Sequence, residues 1–395
     1  MTEESNANRK PGGNGNGERP YYLIVSAYGF DRAGLVASIA DAISSCGLNI
    51  VDVRQNSLKG VFSMALVCES ALKRAQDVEG DVREKLGDLD LKCNIHLTRY
   101  KPDEQKRLVV FTIVGRDRLG LLRDITRKLA AHRMNIERIN HLARKDFVVL
   151  EMLLDATQCP DLAEVREEVR IEGVDVILQE YDVYKRRKRV VVFDLDSTLV
   201  KGELIDELAK HVNHDLAPIT AAAMRGEIDF SESLRRRVAL LAGLPEETLG
   251  AVASQATLSP GAEDLIRALR EMGFRIALIS GSFTQVVETI RERLGLDYAF
   301  GNKLEVKDGR LTGKVLEPIV DAQGKGEILR EIARREGIDA KEIIAVGDGA
   351  NDVYMITSAG LGISFNGKEL LKRAAQGEIA HSTLYSIIYC LGIER

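Results

Sequence analysis

The stretch VVVFDLDSTLV, residues 190–200, decides the fold. Three valines and a phenylalanine make a short apolar run of the kind that forms a strand buried on both faces. The run ends in Asp194 and Asp196. Side chains alternate along an extended chain, so residues two apart point the same way, and two carboxylates placed there repel each other at low dielectric. Such a pair at the end of a core strand calls for a compensating cation.

Downstream, RVVVFDLD, RIALISGS and EIIAVGDG read as strands, with helical stretches such as SPGAEDLIRALREMG between them. This alternation implies a parallel sheet built from right-handed crossovers, with ligands gathered at the carboxyl ends of the strands. Those ends carry Asp194, Asp196 and Thr198, then Ser280 and Gly281, then Asp348, Asn351 and Asp352. Lys325 precedes the third strand, in the helical stretch GKGEILREIARREG. If the three ends adjoin, the acids share a hard divalent cation through oxygen ligands, and Mg²⁺ fits that donor set. A carboxylate beside such an ion, with a lysine and backbone N–H groups opposite, suits phosphoryl transfer. The carboxylate attacks in line, and a second acid two residues on protonates the leaving oxygen and later deprotonates water. Taken singly, Ser280 also reads as a helix cap, Lys325 as a solvated side chain and GDGAND as a polar turn. The ordered set at strand ends carries the chemistry.

Upstream the chain repeats itself. GFDRAGLVASIADAISSCGLNI (29–50) and GRDRLGLLRDITRKLAAHRMNI (115–136) share GxDRxGL and a terminal NI at a constant offset of 86 residues (115 minus 29, 135 minus 49). Each copy follows an apolar strand candidate, YYLIVSAY or RLVVFTIV, and its glycine turn leads into apolar residues at three- and four-residue spacing. VFSMALVCE and DFVVLEMLLD are further strand candidates. Gly34 and Gly120 read either as bare backbone that admits a ligand carboxylate to a helix N-terminus or as sterically required turn residues.

At 395 residues the chain suggests about two to four domains. A hydrophobic content of 45%, a charged content of 29% and a net charge of -5 are those of a globular protein without an overall basic surface for nucleic acid or anionic membrane. The local run YKRRKR (184–189) lacks an aromatic platform and reads as a solvated linker before a strand. Five cysteines without a CxxC pair read as thiols in a reducing compartment. No apolar run approaches the roughly 18 residues of a membrane span, and the opening MTEESNANRKPGGNGNGERP has the composition of a disordered tail, not of a secretory signal. A cytoplasmic protein is expected.

The repeated GxDRxG, helix and NI pattern resembles the ACT domain, a ferredoxin-like α+β module that commonly binds amino acids at domain or subunit interfaces. The resemblance covers about 20–99 and 106–183, with Ala33 and Leu119 where family members often carry proline. It implies an amino-acid effector such as serine, with Asp31, Gly34, Asn49, Asp117, Gly120 and Asn135 as candidate effector-binding residues, and a homodimer.

FDLDSTLV, ISGS, Lys325 and GDGAND together resemble the haloacid dehalogenase-like superfamily of aspartate-nucleophile phosphatases, and within it the phosphoserine phosphatases, over most of 188–366. The resemblance implies Asp194 as nucleophile and Asp196 as acid/base. Mg²⁺ is then held by the carboxylates of Asp194 and Asp348 and the backbone carbonyl of Asp196, with Asp352 in support. Phosphate lies against Ser280, the Gly281 amide and Lys325, with Asn351 close to the substrate. A helical cap of about 201–258 selects the substrate: Glu203 for an ammonium, Arg237 for a carboxylate, Met224 and Phe230 as apolar closure. Opposite charges suit O-phospho-L-serine, which carries both groups.

The expected architecture is a tail over 1–19, ACT domains over 20–99 and 106–185, and a Rossmann-like phosphatase domain over 188–395. Two alternatives share these motifs: a phosphotransferase to another alcohol such as homoserine, and an amino-acid sensor with an inactive phosphatase domain. Ser282 and Thr284 depart from the superfamily pattern, and the tail HSTLYSIIYCLG diverges from it without a functional reading of its own.

Overall fold

The computed structural model describes residues 21–70, 75–99, 106–144, 147–185, 187–212 and 214–391. The expected tail over 1–19 lies outside the described residues. The chain divides into two compact units between residues 105 and 106.

In the first unit, β1 (Tyr21–Phe30), β2 (Leu48–Leu58), β3 (Val61–Ser70) and β4 (Lys92–Arg99) form an antiparallel sheet in the order β2-β3-β1-β4. Two helices, Leu35–Ser45 and Ala75–Gly87, belong to this unit. Leu35, Ile39 and Ile43 form the buried stripe of the first and join Val25, Phe62 and Leu66 in one core. This is the ferredoxin-like arrangement expected of an ACT module.

The second unit repeats it with β5 (Leu108–Gly115), β6 (Asn135–Arg144), β7 (Val148–Asp155) and β8 (Val174–Glu180). Here the sheet does not stop at its last strand. It continues through β15 (Gly377–Ile379) into the sheet of the following module, formed by β9 (Val190–Phe193), β10 (Arg275–Phe283), β11 (Tyr298–Lys307), β12 (Arg310–Leu316), β13 (Ile343–Gly347) and β14 (Leu361–Phe365). The strand order is β12-β11-β10-β9-β13-β14-β15-β8-β5-β7-β6, a single eleven-stranded sheet. Antiparallel pairing of Gly377 with Ile177 and of Glu378 with Val176 is the seam. Arg170 on the ACT side adds an ion pair to Glu378 at 3.2 Å.

From β11 to β14 the strands run parallel, and β9 lies between β10 and β13. The three ends that carry the candidate chemistry therefore adjoin. Every residue of β9 and β13 is buried, which explains their unbroken apolar sequences. Between β9 and β10 the chain leaves the sheet for four helices, Leu204–Lys210, Ala217–Met224, Phe230–Ala239 and Glu247–Gln255, and returns where Leu258 bridges Val200.

One expectation changes in part. Within YKRRKR, Tyr184 and Lys188 are buried, with the Lys188 ammonium donating to the Val183 carbonyl, while Arg187 and Arg189 are exposed, so the run is solvated only in part. The tail HSTLYSIIYCLG forms a 3-10 turn over Leu384–Cys390 with Leu384, Ile387 and Cys390 buried against β5 and the helix Ala262–Glu271. All five cysteines are free, three of them buried. Among the described residues no helix is long and apolar enough to cross a membrane.

The seam sets how the chain tolerates truncation. Removal of residues 1–105 should leave the remainder cooperatively folded. Removal of 1–187 unpairs β15 and bares the apolar turn over Leu384–Cys390, and should lower the melting temperature by about 5 °C or more in thermal unfolding. Equal melting temperatures for the two truncations would contradict a structural seam.

Candidate active site

The site is built from three neighbouring strand ends and one helix. β9 delivers Asp194, followed by a tight turn in which Ser197 adopts a left-handed backbone (φ 57) and Asp196 is half-buried. β13 delivers the Asp348–Asp352 turn, and β10 delivers Ser280 and Gly281. The helix Ala322–Glu336 carries Lys325 in its first turn, where the Asp321 carboxylate accepts from the Gly324 amide at 2.8 Å and fixes the helix start.

Lys325 is completely buried, and its ammonium donates to Asp194 Oδ1 at 2.6 Å and to Asp352 Oδ1 at 2.7 Å. Asp352 uses its other oxygen to accept from the amides of Asp348 (3.1 Å) and Gly349 (3.0 Å). Asp196 Oδ1 accepts from the Leu204 amide at 2.8 Å, tying the turn to the first cap helix. Ser280 Oγ accepts from the Ser282 amide at 3.0 Å.

One cation does not neutralise this much acid. Carboxylate oxygens of Asp194, Asp348 and Asp352 lie within 4.8 Å of one another. Burial pushes the Asp194 carboxyl well above the ordinary carboxylate range, and the Asp352 charge adds to the shift against the pull of Lys325. Burial, then the charge of Glu203, raises Asp196 to about 7. Burial, then Asp352, raises Asp348 to about 6. Hard oxygen donors bearing more negative charge than their one lysine offsets are the chemistry of a divalent-cation site, and Mg²⁺ fits them.

One cleft is lined by Asp194, Asp196, Glu203, Phe230, Arg237, Ser280, Gly281, Asp348 and Asn351. Lys325 lies against it through Asp194. The Met224 side chain lies outside the described residues. Phe230 reaches from the cap so close to β10 that a Cβ on Gly281 would stand 2.9 Å from its ring, so this position admits only glycine while the cap sits here. Arg237 Nε is buried and without a hydrogen-bond partner, a donor available to an anion in the cleft. Glu203 stays accessible to solvent inside the cleft, yet the surrounding protein raises its carboxyl, with Arg237 opposing the shift.

Sequence reasoning missed Lys368, which lines the same cleft and whose amide donates to the Asp348 carbonyl at 2.9 Å. It also missed Asn302, fully buried, whose side chain donates to the Gly281 carbonyl (2.8 Å) and accepts from the Val320 amide (2.7 Å). A lone polar residue in the strand YAFGNKLEV gives no periodic signal of such a role.

The ACT candidates are not gathered within either module. Asn49 pairs with Glu69, which pairs with Tyr22, whereas the Asp31 amide bonds the Gly60 carbonyl at the far end of the sheet. Nine residues of strand put roughly 30 Å between them. Asp117 and Asn135 are separated in the same way, since Asn135 pairs with Asp155 and thus lies level with Leu108. Gly34 and Gly120 have φ 84 and φ 83, so the left-handed turn by itself accounts for glycine at both.

Comparison with known proteins agrees with this architecture. The haloacid dehalogenase-like hydrolase family matches residues 191–357, and the ACT domain family matches 21–96 and 107–176. A hydrolase of the haloacid dehalogenase family from Salmonella enterica serovar Typhi has a similar structure, with a TM-score of 0.64 and 27% identity over 72% of this chain and 98% of its own. The protein is thus a haloacid dehalogenase-like hydrolase preceded by two ACT domains. A curated phosphoserine phosphatase of Archaeoglobus fulgidus is 45% identical over 78% of this chain and 92% of its own length. One from Streptomyces coelicolor is 36% identical over 94% of this chain and 92% of its own. The chain belongs to the phosphoserine phosphatase family, and it is a phosphatase.

The raised carboxyls carry a consequence for stability. A group whose folded pKa lies above its unfolded value contributes stability that is present below the unfolded pKa and lost as pH rises through the folded one. With Asp196 at about 7 and Asp348 at about 6, the melting temperature in EDTA should fall as pH rises from 5 to 8, and saturating Mg²⁺ should shrink that fall. A flat profile, or the same slope with and without Mg²⁺, would rule out the charge excess as its source.

Proposed function

We propose that this chain hydrolyses O-phospho-L-serine to L-serine and phosphate through an aspartyl-phosphate. The observation that carries the reading is the Lys325 bridge from Asp194 to Asp352 beneath a cleft whose cap side presents Arg237 and Glu203.

Asp194 acts as the nucleophile. Lys325 engages Oδ1 and so fixes the orientation of the attacking carboxylate. A new P–O bond to Asp194 forms as the ester P–O bond breaks, and Asp196 gives its proton to the departing serine oxygen. Its carboxyl, raised to about 7, is suited to hold that proton near neutral pH. Water then attacks phosphorus, Asp196 takes the water proton, and the bond to Asp194 breaks to release phosphate. Ser280, the Gly281 amide and Lys325 are the groups that receive the phosphoryl oxygens, with Asn351 beside them. Asp194 and Asp348, with the Asp196 carbonyl, would hold Mg²⁺, Asp352 orients that set, and the ion when bound offsets charge on the phosphoryl group.

Substrate identity is read by the cap over about 201–258. Arg237 takes the substrate carboxylate through its guanidinium, Glu203 takes the ammonium, and Phe230 with Met224 closes over the methylene. Ser282, where relatives carry glycine, removes no catalytic group. The ACT domains bind an amino acid, serine, and adjust activity. Because each module separates its aspartate from its asparagine, neither module by itself brings both residue types to one effector site, and a homodimer is the assembly we expect. A cytoplasmic enzyme is the setting in which this substrate and five free thiols coexist.

The test is phosphate release from O-phospho-L-serine with Mg²⁺ and with excess EDTA, beside Asp194→Asn. Activity should vanish on chelation and fall at least about a thousandfold in the variant. Folded, Mg²⁺-loaded protein without turnover would overturn the substrate assignment. Homoserine supplied as acceptor should yield no phosphate ester if water is the acceptor. Arg237→Ala should raise KM about tenfold to a hundredfold for phosphoserine and leave a phosphate monoester without a carboxylate little affected. Equal losses for both substrates would remove Arg237 from recognition.

A further inference from the structure

The tail, to which the sequence assigns no role, touches both the second ACT module and the root of the cap. β8 carries Asp175, 1% exposed, as a buried carboxylate. Its Oδ1 accepts from the amides of Ala380 (2.7 Å) and His381 (2.8 Å), and its Oδ2 accepts from Ser382 Oγ at 2.5 Å. All three donors lie in the segment leaving β15, none in the ACT module. A charge buried in β8 is thus satisfied entirely by the phosphatase side of the seam. Gln179, four residues on, repeats the pattern by donating to the Cys390 carbonyl at 3.2 Å.

The same segment meets the cap hinge. The Leu384 amide donates to the Pro260 carbonyl at 3.0 Å, and Thr383 Oγ1 lies 2.8 Å from where a Cβ on Gly261 would stand. Pro260 follows the two crossings by which the chain leaves for the cap and returns from it. Those crossings are tied by the Lys201 amide to the Thr257 carbonyl (2.8 Å), the Ser259 amide to the Leu199 carbonyl (3.0 Å), and the bridge of Val200 to Leu258. Leu199 ends the turn that starts at Asp194. Pro260 directly follows these crossings, one residue beyond Ser259, and is held by Leu384.

We propose that residues 377–391 are a strap by which the second ACT module holds the cap hinge, so that the conformation of β8 sets how readily the cap opens over the cleft. The inference rests on reading 201–258 as the cap of the phosphate site. A packed interface has discrete arrangements and does not deform continuously, so loosening one end of the strap changes the population of hinge conformations at the other. Coupling of this kind is reciprocal: a ligand that closes the cap tightens the strap against β8.

Hydrogen exchange on the full chain without ligand tests it. In Asp175→Ala the peptides spanning 199–202 and 257–261 should exchange about tenfold faster than in the unsubstituted protein, while β5 and β7 keep their protection. Acceleration confined to 377–384, with the hinge unchanged, would overturn the strap. If Asp175→Ala does not fold, Ser382→Ala, which removes a single hydroxyl donor, is read in the same way with a smaller expected increase of about threefold. In turnover, the folded variant should show a raised KM for O-phospho-L-serine with a smaller change in kcat. Failure of every form of the protein to hydrolyse phosphoserine would count against the substrate assignment, and the exchange measurement would still decide the strap.

Discussion

One ammonium holds the site together. Lys325 stands between Asp194 and Asp352 with no solvent contact, and three separate pieces of the fold converge on it: the end of β9, the turn after β13 and the first turn of the helix Ala322–Glu336. A buried charge without its partner is far costlier than the pair, so each piece is constrained by the other two. The lysine also leaves the account short. Two carboxylates face one ammonium, and Asp348 and Asp196 stand close by, their own carboxyls raised by burial first and then by the charges of Asp352 and Glu203 respectively. The imbalance suits a divalent ion, since a site already neutral would have little affinity for one.

The second constraint is the sheet. A sheet edge exposes unpaired backbone groups, and the two ACT modules treat the same edge differently. In the first, Cys93, Ile95 and Leu97 turn toward the core between the exposed Lys92, Asn94 and His96, as in a strand wetted on one face. In the second, VDVILQE is buried along nearly its whole length because β15 covers its edge and the tail covers its face. Two copies that share a helix signature have thus diverged at the strand where one of them joins the phosphatase core. That divergence makes the second ACT module part of the same sheet as the candidate active site.

How much of this was readable in advance follows from the range of the interactions. Local patterns were legible: the apolar runs that became β9, β10 and β13, the glycine turns at Gly34 and Gly120, and the helical spacing of Leu121, Ile125 and Leu129. The candidate site was legible because its members sit at strand ends in a fixed order, and the adjacency of those ends follows from the topology. What the chain hid depends on contacts between distant segments. Asn302 bonds residues 21 and 18 positions away, and Asp175 bonds residues more than 200 positions away. Neither belongs to a periodic pattern. YKRRKR misled because charge composition says nothing of a lysine stem that packs inward while its ammonium finds a carbonyl.

The division of labour between sheet and cap explains why the site tolerates both demands made on it. Phosphoryl chemistry needs groups fixed to within fractions of an ångström, and these come from strand ends and a helix locked by Lys325. In the proposed reaction the rest of the substrate is selected from the cap, where Glu203, Phe230 and Arg237 line the cleft on the excursion between β9 and β10. Asp196 joins the two, because its carboxylate accepts from the Leu204 amide at the first cap helix while its backbone belongs to the turn after the nucleophile. A displacement of that helix therefore alters the environment of the acid/base directly. In the proposed reaction, closure of the cap and readiness of Asp196 for proton transfer are therefore coupled through this one hydrogen bond.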